Sequence, residues 1–352
     1  MITYKNFYLG MNDNNKMLDF AQNVNSLSVP KGLKKFVFKN SDSLLNYPDP
    51  KSKYLNLLIS KFLKVKKECV TYVNGSTEIF FSLPKFLGKQ IGLIIQPTFW
   101  EYEVANKKAG VNVQSFQLKE SQKFRLNIRE LDKNINEDMV VYLCNPNNPT
   151  STLIDKNELS QLISKHKNTT FVVDETYLLF RKDYSKITLT MEAQSLKNLY
   201  VASSLSKIFA LPGIRAGFLV SSPENIGRFT EWRIPYSNNS LSEAITTWLL
   251  KQTAYIVKTR TYYQVARKEF FNLLKRNFRE KILFFKPEAN FILGKILTDQ
   301  TSTQIVKVLK KRGILVRDGA ELSFLGNKWI RFTIKQPKQN KELLIELGQI
   351  LK

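Results

Sequence analysis

Between about residues 68 and 220, short apolar runs alternate with longer stretches of helical period. The runs are IGLIIQP, VVYLCNP, FVVDE, NLYVASS and GFLVSS, and helical patterns begin near Glu101 and Asp155. Strands that are apolar on both sides of the pleat must be covered on both faces. The intervening helices supply that cover, so the pattern predicts an α/β domain whose mostly parallel, mixed sheet is sandwiched by helices. From Ser240 to about Phe278 breakers are few and the helical period persists, which predicts long helices leaving that domain. After Pro287 the segments NFILGKI, GILVRD and WIRFTI, with helices over Ser302–Lys311 and from Asn340, predict a small α+β domain. The expected division is an N-terminal arm over 1–35 that packs on the small domain or a partner subunit, a large domain over 36–240, connecting helices over 241–280 and a small domain over 281–352.

Composition agrees with a folded chain of this plan. Its 352 residues are 43% hydrophobic, enough for one large core and a smaller companion. No apolar run of about 18 residues occurs, and MITYKNFYLGMNDNNKMLDF lacks the basic-then-apolar layout of a signal peptide, so a cytoplasmic location with no membrane partner is expected. Cys69 and Cys144 show no CxxC spacing, and His166 is the single histidine, so neither a disulfide framework nor a metal site is expected. His166 lies in a polar helical pattern and is expected to be solvated.

Charge changes the picture in one respect. There are 54 Lys+Arg against 30 Asp+Glu, a net charge of +24. Such a balance can mark nucleic-acid binding, but the lysines are scattered in ones and twos with no long basic tail. No nucleic-acid partner is expected. A basic surface of this kind attracts small anionic substrates.

The most informative stretch is SSLSKIFALPGIRAGF, from Ser203 to Phe218, which follows a strand. A lysine amine such as Lys207 can form an imine with an aldehyde cofactor. Ser204 and Ser206 offer hydroxyls to a phosphate, and Arg215 can grip one bidentately. Taken alone, the stretch reads equally as a strand, a turn and a surface lysine. In NGSTEIFF a glycine turn opens a helix, so the amides of Ser76 and Thr77 can bind a phosphate, though an ordinary capped helix has the same look. PTFWEY sets Phe99 just after a strand, where a ring can stack on a planar cofactor or fill the core. CNPNNPT ends a strand in an Asn-rich turn, at the kind of edge where α/β sheets bind ligands. FVVDETYLLF leaves Asp174 at the end of another apolar strand, where a carboxylate needs a cationic partner. A protonated pyridine nitrogen is one such partner.

In this order and at these spacings the motifs resemble the pyridoxal-phosphate (PLP) enzymes of fold type I, in the class I and II aminotransferase family, over nearly the whole chain. The resemblance implies Lys207 as the Schiff-base lysine, Asp174 against the pyridine nitrogen, Asn148 and Tyr177 on the ring hydroxyl, and Phe99 over the ring. It implies Ser76, Thr77, Ser204, Ser206 and Arg215 around the cofactor phosphate, joined by Tyr47 of YPDP from the neighbouring subunit of a homodimer. It also implies Asn25, Arg317 (in VRD) and Arg331 (in IRF) near a small anionic amino substrate. Two subfamilies are similar in detail, the threonine-phosphate decarboxylases and the histidinol-phosphate aminotransferases. LDFAQNVN, NGSTEIFF, FALPGIRAGF, IPYSNNSLSEA and ANFILGKI lean towards the first. A decarboxylase of threonine or serine phosphate is the activity implied, with an aminotransferase of a phosphorylated substrate as the alternative. Three departures stand out: Ser151 where the family has Gly, Ser26 where it has Pro, and no N-terminal histidine of the kind associated with the decarboxylase.

Overall fold

A computed structural model describes residues 17–351, so the part of the arm over 1–16 lies outside the described residues. In chain order the strands are β1 (Leu18–Asp19), β2 (Val70–Asn74), β3 (Ile91–Gln96), β4 (Asn112–Gln117), β5 (Met139–Cys144), β6 (Thr170–Asp174) and β7 (Leu199–Ser204). They continue as β8 (Ala216–Val220), β9 (Ile282–Phe284), β10 (Phe291–Ile296), β11 (Ile314–Leu315), β12 (Arg317–Asp318) and β13 (Trp329–Thr333). Seven of them form one sheet in the order β2-β8-β7-β6-β5-β3-β4. Only β8 runs against its neighbours; the remaining pairings are parallel. The α/β class with a mostly parallel mixed sheet is therefore the observed one.

The central strands β5, β6 and β7 are buried along their whole length, as their unbroken apolar runs require. Edge strand β4, NVQSFQ, is largely exposed and correspondingly polar. The helices between strands are stopped and started by local chemistry. Asp155 accepts from the amides of Asn157 and Glu158 to open the helix Lys156–Lys165, and left-handed Gly88 closes Ser76–Leu87. Ser240–Leu250 and the 26-residue Thr253–Phe278 are the long helices expected there. No helix among the described residues is long and apolar enough to cross a membrane.

The second sheet is antiparallel throughout, in the order β12-β13-β10-β9. It puts Arg317 directly opposite Arg331. Strand β1 pairs in parallel with β11, and Phe20 C=O accepts from Thr333 N–H, so the described start of the chain lies along this smaller unit.

One expectation is corrected. His166 is not solvated: it caps the helix Lys156–Lys165 and its Nε2 lies 2.6 Å from Asp132 Oδ1, a structural pairing that leaves the ring side chain 17% exposed. Asp132 reaches it from a neighbouring helix, Ile128–Asp132, which a linear pattern does not bring alongside.

Candidate active site

Topology alone gathers the chemistry at one edge of the large sheet. In parallel strands the C-terminal ends share an edge, and Cys144, Asp174 and Ala202 are register partners across β5, β6 and β7. The turn carrying Asn148, the carboxylate of Asp174 and the Ser204–Lys207 segment therefore emerge side by side. Strand β8 runs the other way, so its start, just after Arg215, reaches the same edge and pairs with the end of β2 at Asn74. Gly75 and the helix Ser76–Leu87 follow at once.

This corner is tight. A Cβ at Gly75 (φ +74°) would lie 2.6 Å from Arg215 Nη2, and one at Gly217 would lie 2.7 Å from the backbone nitrogen of Ser76. Backbone leaves room only for a hydrogen atom at Gly217, and the positive φ favours glycine at Gly75, so the amides of a helix N-terminus come beside a guanidinium. Arg215 is exposed, with Nη2 3.5 Å from Thr77 Oγ1; the Thr77 hydroxyl donates to Glu101 Oε2 at 3.0 Å. Ser204 and Ser206 are buried and both donate to Ala216 C=O at 3.3 Å, so their hydroxyls brace the turn beneath the corner.

Asp174 is 4% exposed. Its Oδ2 accepts from the Tyr102 hydroxyl at 2.7 Å and its Oδ1 from Thr176 N–H at 2.9 Å. No lysine or arginine contacts it among the described residues, and burial raises its proton affinity. Lys207, in the short turn Leu205–Ile208, is pushed the opposite way: burial first, then Arg215 and Arg331, bring its ammonium down to about 8. Its own charge in turn favours ionised Asp174 and Glu101.

Asn148 and Tyr177 are also buried in place. Arg331 Nη1 donates to Asn148 Oδ1, its Nη2 to Ala21 C=O at 2.5 Å, and its Nε has no partner. The same guanidinium stands 5.3 Å over the Phe291 ring, which meets Tyr177 edge-on at 4.9 Å. The Tyr177 hydroxyl accepts from Asn23 Nδ2 at 3.3 Å. Phe99, half-buried, meets Tyr102 edge-on at 5.6 Å. Arg317 pairs with Glu321 at 2.8 Å.

Two predicted residues sit differently from the rest. Asn25 is committed to the protein: its Nδ2 reaches Ile208 C=O at 2.7 Å, Tyr255 at 2.9 Å and Thr259 at 3.1 Å, while its backbone N–H donates to Lys207 C=O at 3.0 Å. It fastens the arm to the lysine turn. Tyr47 lies outside this edge, 88% exposed and 5.4 Å from the Tyr236 ring.

The aminotransferase class I and II family matches residues 13–347. This chain belongs to that family. Pyridoxal phosphate is the cofactor of these enzymes, and the residues here fit it: a buried carboxylate without a cation, an amine depressed towards neutrality, and a glycine-lined corner of amides and guanidinium. A protein of Caldanaerobacter subterraneus subsp. tengcongensis named as a candidate threonine-phosphate decarboxylase is 31% identical, covering 92% of this chain and 87% of its own. The solved histidinol-phosphate aminotransferase of Clostridium acetobutylicum superposes with a TM-score of 0.88 at 28% identity, over 95% of this chain and 99% of that one. The L-threonine-O-3-phosphate decarboxylase of Porphyromonas gingivalis shares the fold, with a TM-score of 0.84 at 24% identity and the same coverage, 95% and 99%.

Three further residues at this edge carry no distinctive signal in the sequence. Tyr102 stood inside the quoted PTFWEY, where a tyrosine in a helical first turn reads as core. Glu101, beside it, is held above its usual range by burial and lies among Thr77, Arg215 and Lys207. Asn23 carried no signal, because its partners Tyr177 and Thr333 are 154 and 310 residues away.

Proposed function

We propose that this enzyme decarboxylates a small phosphorylated amino acid, threonine phosphate or serine phosphate, as a homodimer in which Lys207 is the catalytic base and acid. The observation that carries the substrate class is the cross-strand register of Arg317 and Arg331. Like charges directly opposite one another on a sheet repel, and a substrate bearing two anionic groups relieves that repulsion. Threonine phosphate, named for one kind of relative, carries both a carboxylate and a phosphate, whereas histidinol phosphate, named for the other, carries the phosphate alone.

Pyridoxal phosphate, when bound, supplies a carbonyl carbon that condenses with amines and a protonated ring that draws electrons from a bond broken at the substrate α-carbon. The chain's own residues do the rest. In this reading Ser76, Thr77, Ser204, Ser206 and Arg215 anchor the phosphate, Phe99 packs on the ring face, and Asn148 and Tyr177 fix its hydroxyl. Asp174 supplies the negative charge that keeps the ring nitrogen protonated. Lys207, depressed to about 8, presents a substantial fraction of neutral amine near neutral pH and moves a proton to or from the α-carbon through Nζ. Asn25 holds that lysine turn, and Arg331 and Arg317 orient the substrate anions, which decides the bond that lies perpendicular to the ring. Tyr47 and Tyr236, exposed and in ring contact, offer an apolar spot suited to a second copy of this chain, and Phe38, Leu45 and Ile234 are exposed as well.

Transamination is the second reading, favoured by the similarity to the Clostridium aminotransferase. Incubation with threonine phosphate or serine phosphate separates the two. Decarboxylation releases CO2 with no need for 2-oxoglutarate; glutamate formed from 2-oxoglutarate without CO2 would reverse the order.

A further inference from the structure

We infer that Tyr102 is a positioning residue that keeps the Asp174 carboxylate ionised and aimed at the cofactor ring. This rests on the proposed role of Asp174. Tyr102 is the second residue of the helix Glu101–Lys108, two residues inside the turn that delivers Phe99, and it is 1% exposed. Its ring is caged by Phe80 edge-on at 4.7 Å, Phe99 edge-on at 5.6 Å and Tyr142 stacked at 5.9 Å. The hydroxyl therefore has one orientation, and it donates to Asp174 Oδ2 at 2.7 Å.

A buried carboxylate is costly without donors, and those of Asp174 are the Tyr102 phenol on Oδ2, the Thr176 N–H on Oδ1 and the Thr176 side chain. The groups around the pair are Cys144, whose thiol donates to Pro146 C=O at 3.3 Å, and the charges of Lys207 and Glu101. Burial works against the ionised form of Asp174, while Thr176, Tyr102 and Lys207 work towards it. The cation–carboxylate pair with the ring then depends on a tyrosine that never touches the reacting atoms.

The test follows the absorbance of bound cofactor as the holoenzyme is acidified. Protonation of Asp174 removes the counter-charge of the ring nitrogen, and the spectrum changes. Tyr102→Phe keeps the aromatic cage and removes the donor, and is expected to raise the midpoint by about one to two pH units, the worth of a hydrogen bond to a charged group. Phe80→Leu perturbs the same aromatic cage without removing a polar group and is expected to leave the midpoint in place. A Tyr102→Phe midpoint equal to wild type, or an equal shift in Phe80→Leu, overturns the proposal. Asp174→Asn is the control for the underlying reading: a pH titration unchanged by that substitution sinks the role of Asp174 itself. In the double variant Tyr102→Phe/Asp174→Asn the effect of the tyrosine should vanish, which a merely structural tyrosine does not predict.

Discussion

The two arginines whose charges act on Lys207 differ in state. Arg215, at the phosphate corner, is exposed, in a left-handed backbone conformation (φ 51°), with its guanidinium against a glycine and a weak contact to Thr77. Arg331, at the anion side, is 4% exposed and already bonded to Asn148 and Ala21. The proposed phosphate corner is thus built from backbone shape, with its guanidinium exposed. The anion side is built from side chains that hold each other, with Arg331 Nε alone unpartnered. Losing a residue from the first should cost ligand affinity, and losing one from the second should cost the fold as well.

The sharpest change removes what both sides serve. Lys207→Ala is expected to lower turnover on the order of 10³-fold or more and to abolish the cofactor's lysine-bound absorbance band, while leaving thermal unfolding close to wild type. Arg331→Ala should raise KM about 10- to 100-fold and also lower the unfolding temperature, because Asn148 Oδ1 and Ala21 C=O lose a buried donor. Arg215→Ala should weaken cofactor affinity by a similar factor, about 10- to 100-fold, yet leave the unfolding temperature of the apoenzyme unchanged. Equal destabilisation by the two substitutions would erase the contrast.

Protons give a finer test. Lys207 is depressed in the folded protein, so below about 8 folding carries the penalty of a buried ammonium. Between that value and the ordinary lysine range the unfolded chain binds more protons, and apoenzyme stability should rise with pH. Uptake of pyridoxal phosphate by apoenzyme should quicken through the same midpoint, since the neutral amine condenses. Because Arg215 outranks Arg331 among the charges acting on Lys207, Arg215→Gln should move that midpoint up more than Arg331→Gln.

The smallest effect lies at Ser151, read from the sequence as a departure from the family pattern. Ser151 (φ 59°) is fully buried, and its Oγ accepts from Ala289 N–H at 2.8 Å and Glu288 N–H at 3.1 Å, tying the Asn148 turn to the entrance of β10. Ser151→Ala keeps the strain and strands the Ala289 amide, a loss of about 1–3 kcal/mol by thermal unfolding. Ser151→Gly should cost less, because glycine accepts that φ freely.

Much of the cofactor edge was legible because strand order and strand ends are local facts. Asp174, Lys207 and the Asn148 turn each follow an apolar run, and parallel strands bring such ends together whatever the intervening residues. The mutual arrangement of the anion side was not legible. The Arg331–Asn148 bond spans 183 residues, the Ser151 bonds 137 and 138, and the pairing of His166 with Asp132 depends on how two helices pack. Asn25 was recognisable from its motif, but its bonds to Tyr255 and Thr259 depend on where the long helix Thr253–Phe278 runs. Tyr102 was hidden by its type, since most tyrosines in a helical first turn are simply packed.

The opposed Arg317 and Arg331 carry a lesson about how such an enzyme can diverge. Side chains alternate along a strand, so inserting or deleting one residue within β12 or β13, on the sheet side of its arginine, turns that arginine to the other face, whereas the 319–328 connection absorbs a change of length. Lineages that retune this site for longer or shorter substrates therefore have to keep the two strands in register, while the 319–328 connection can change in length as well as in composition.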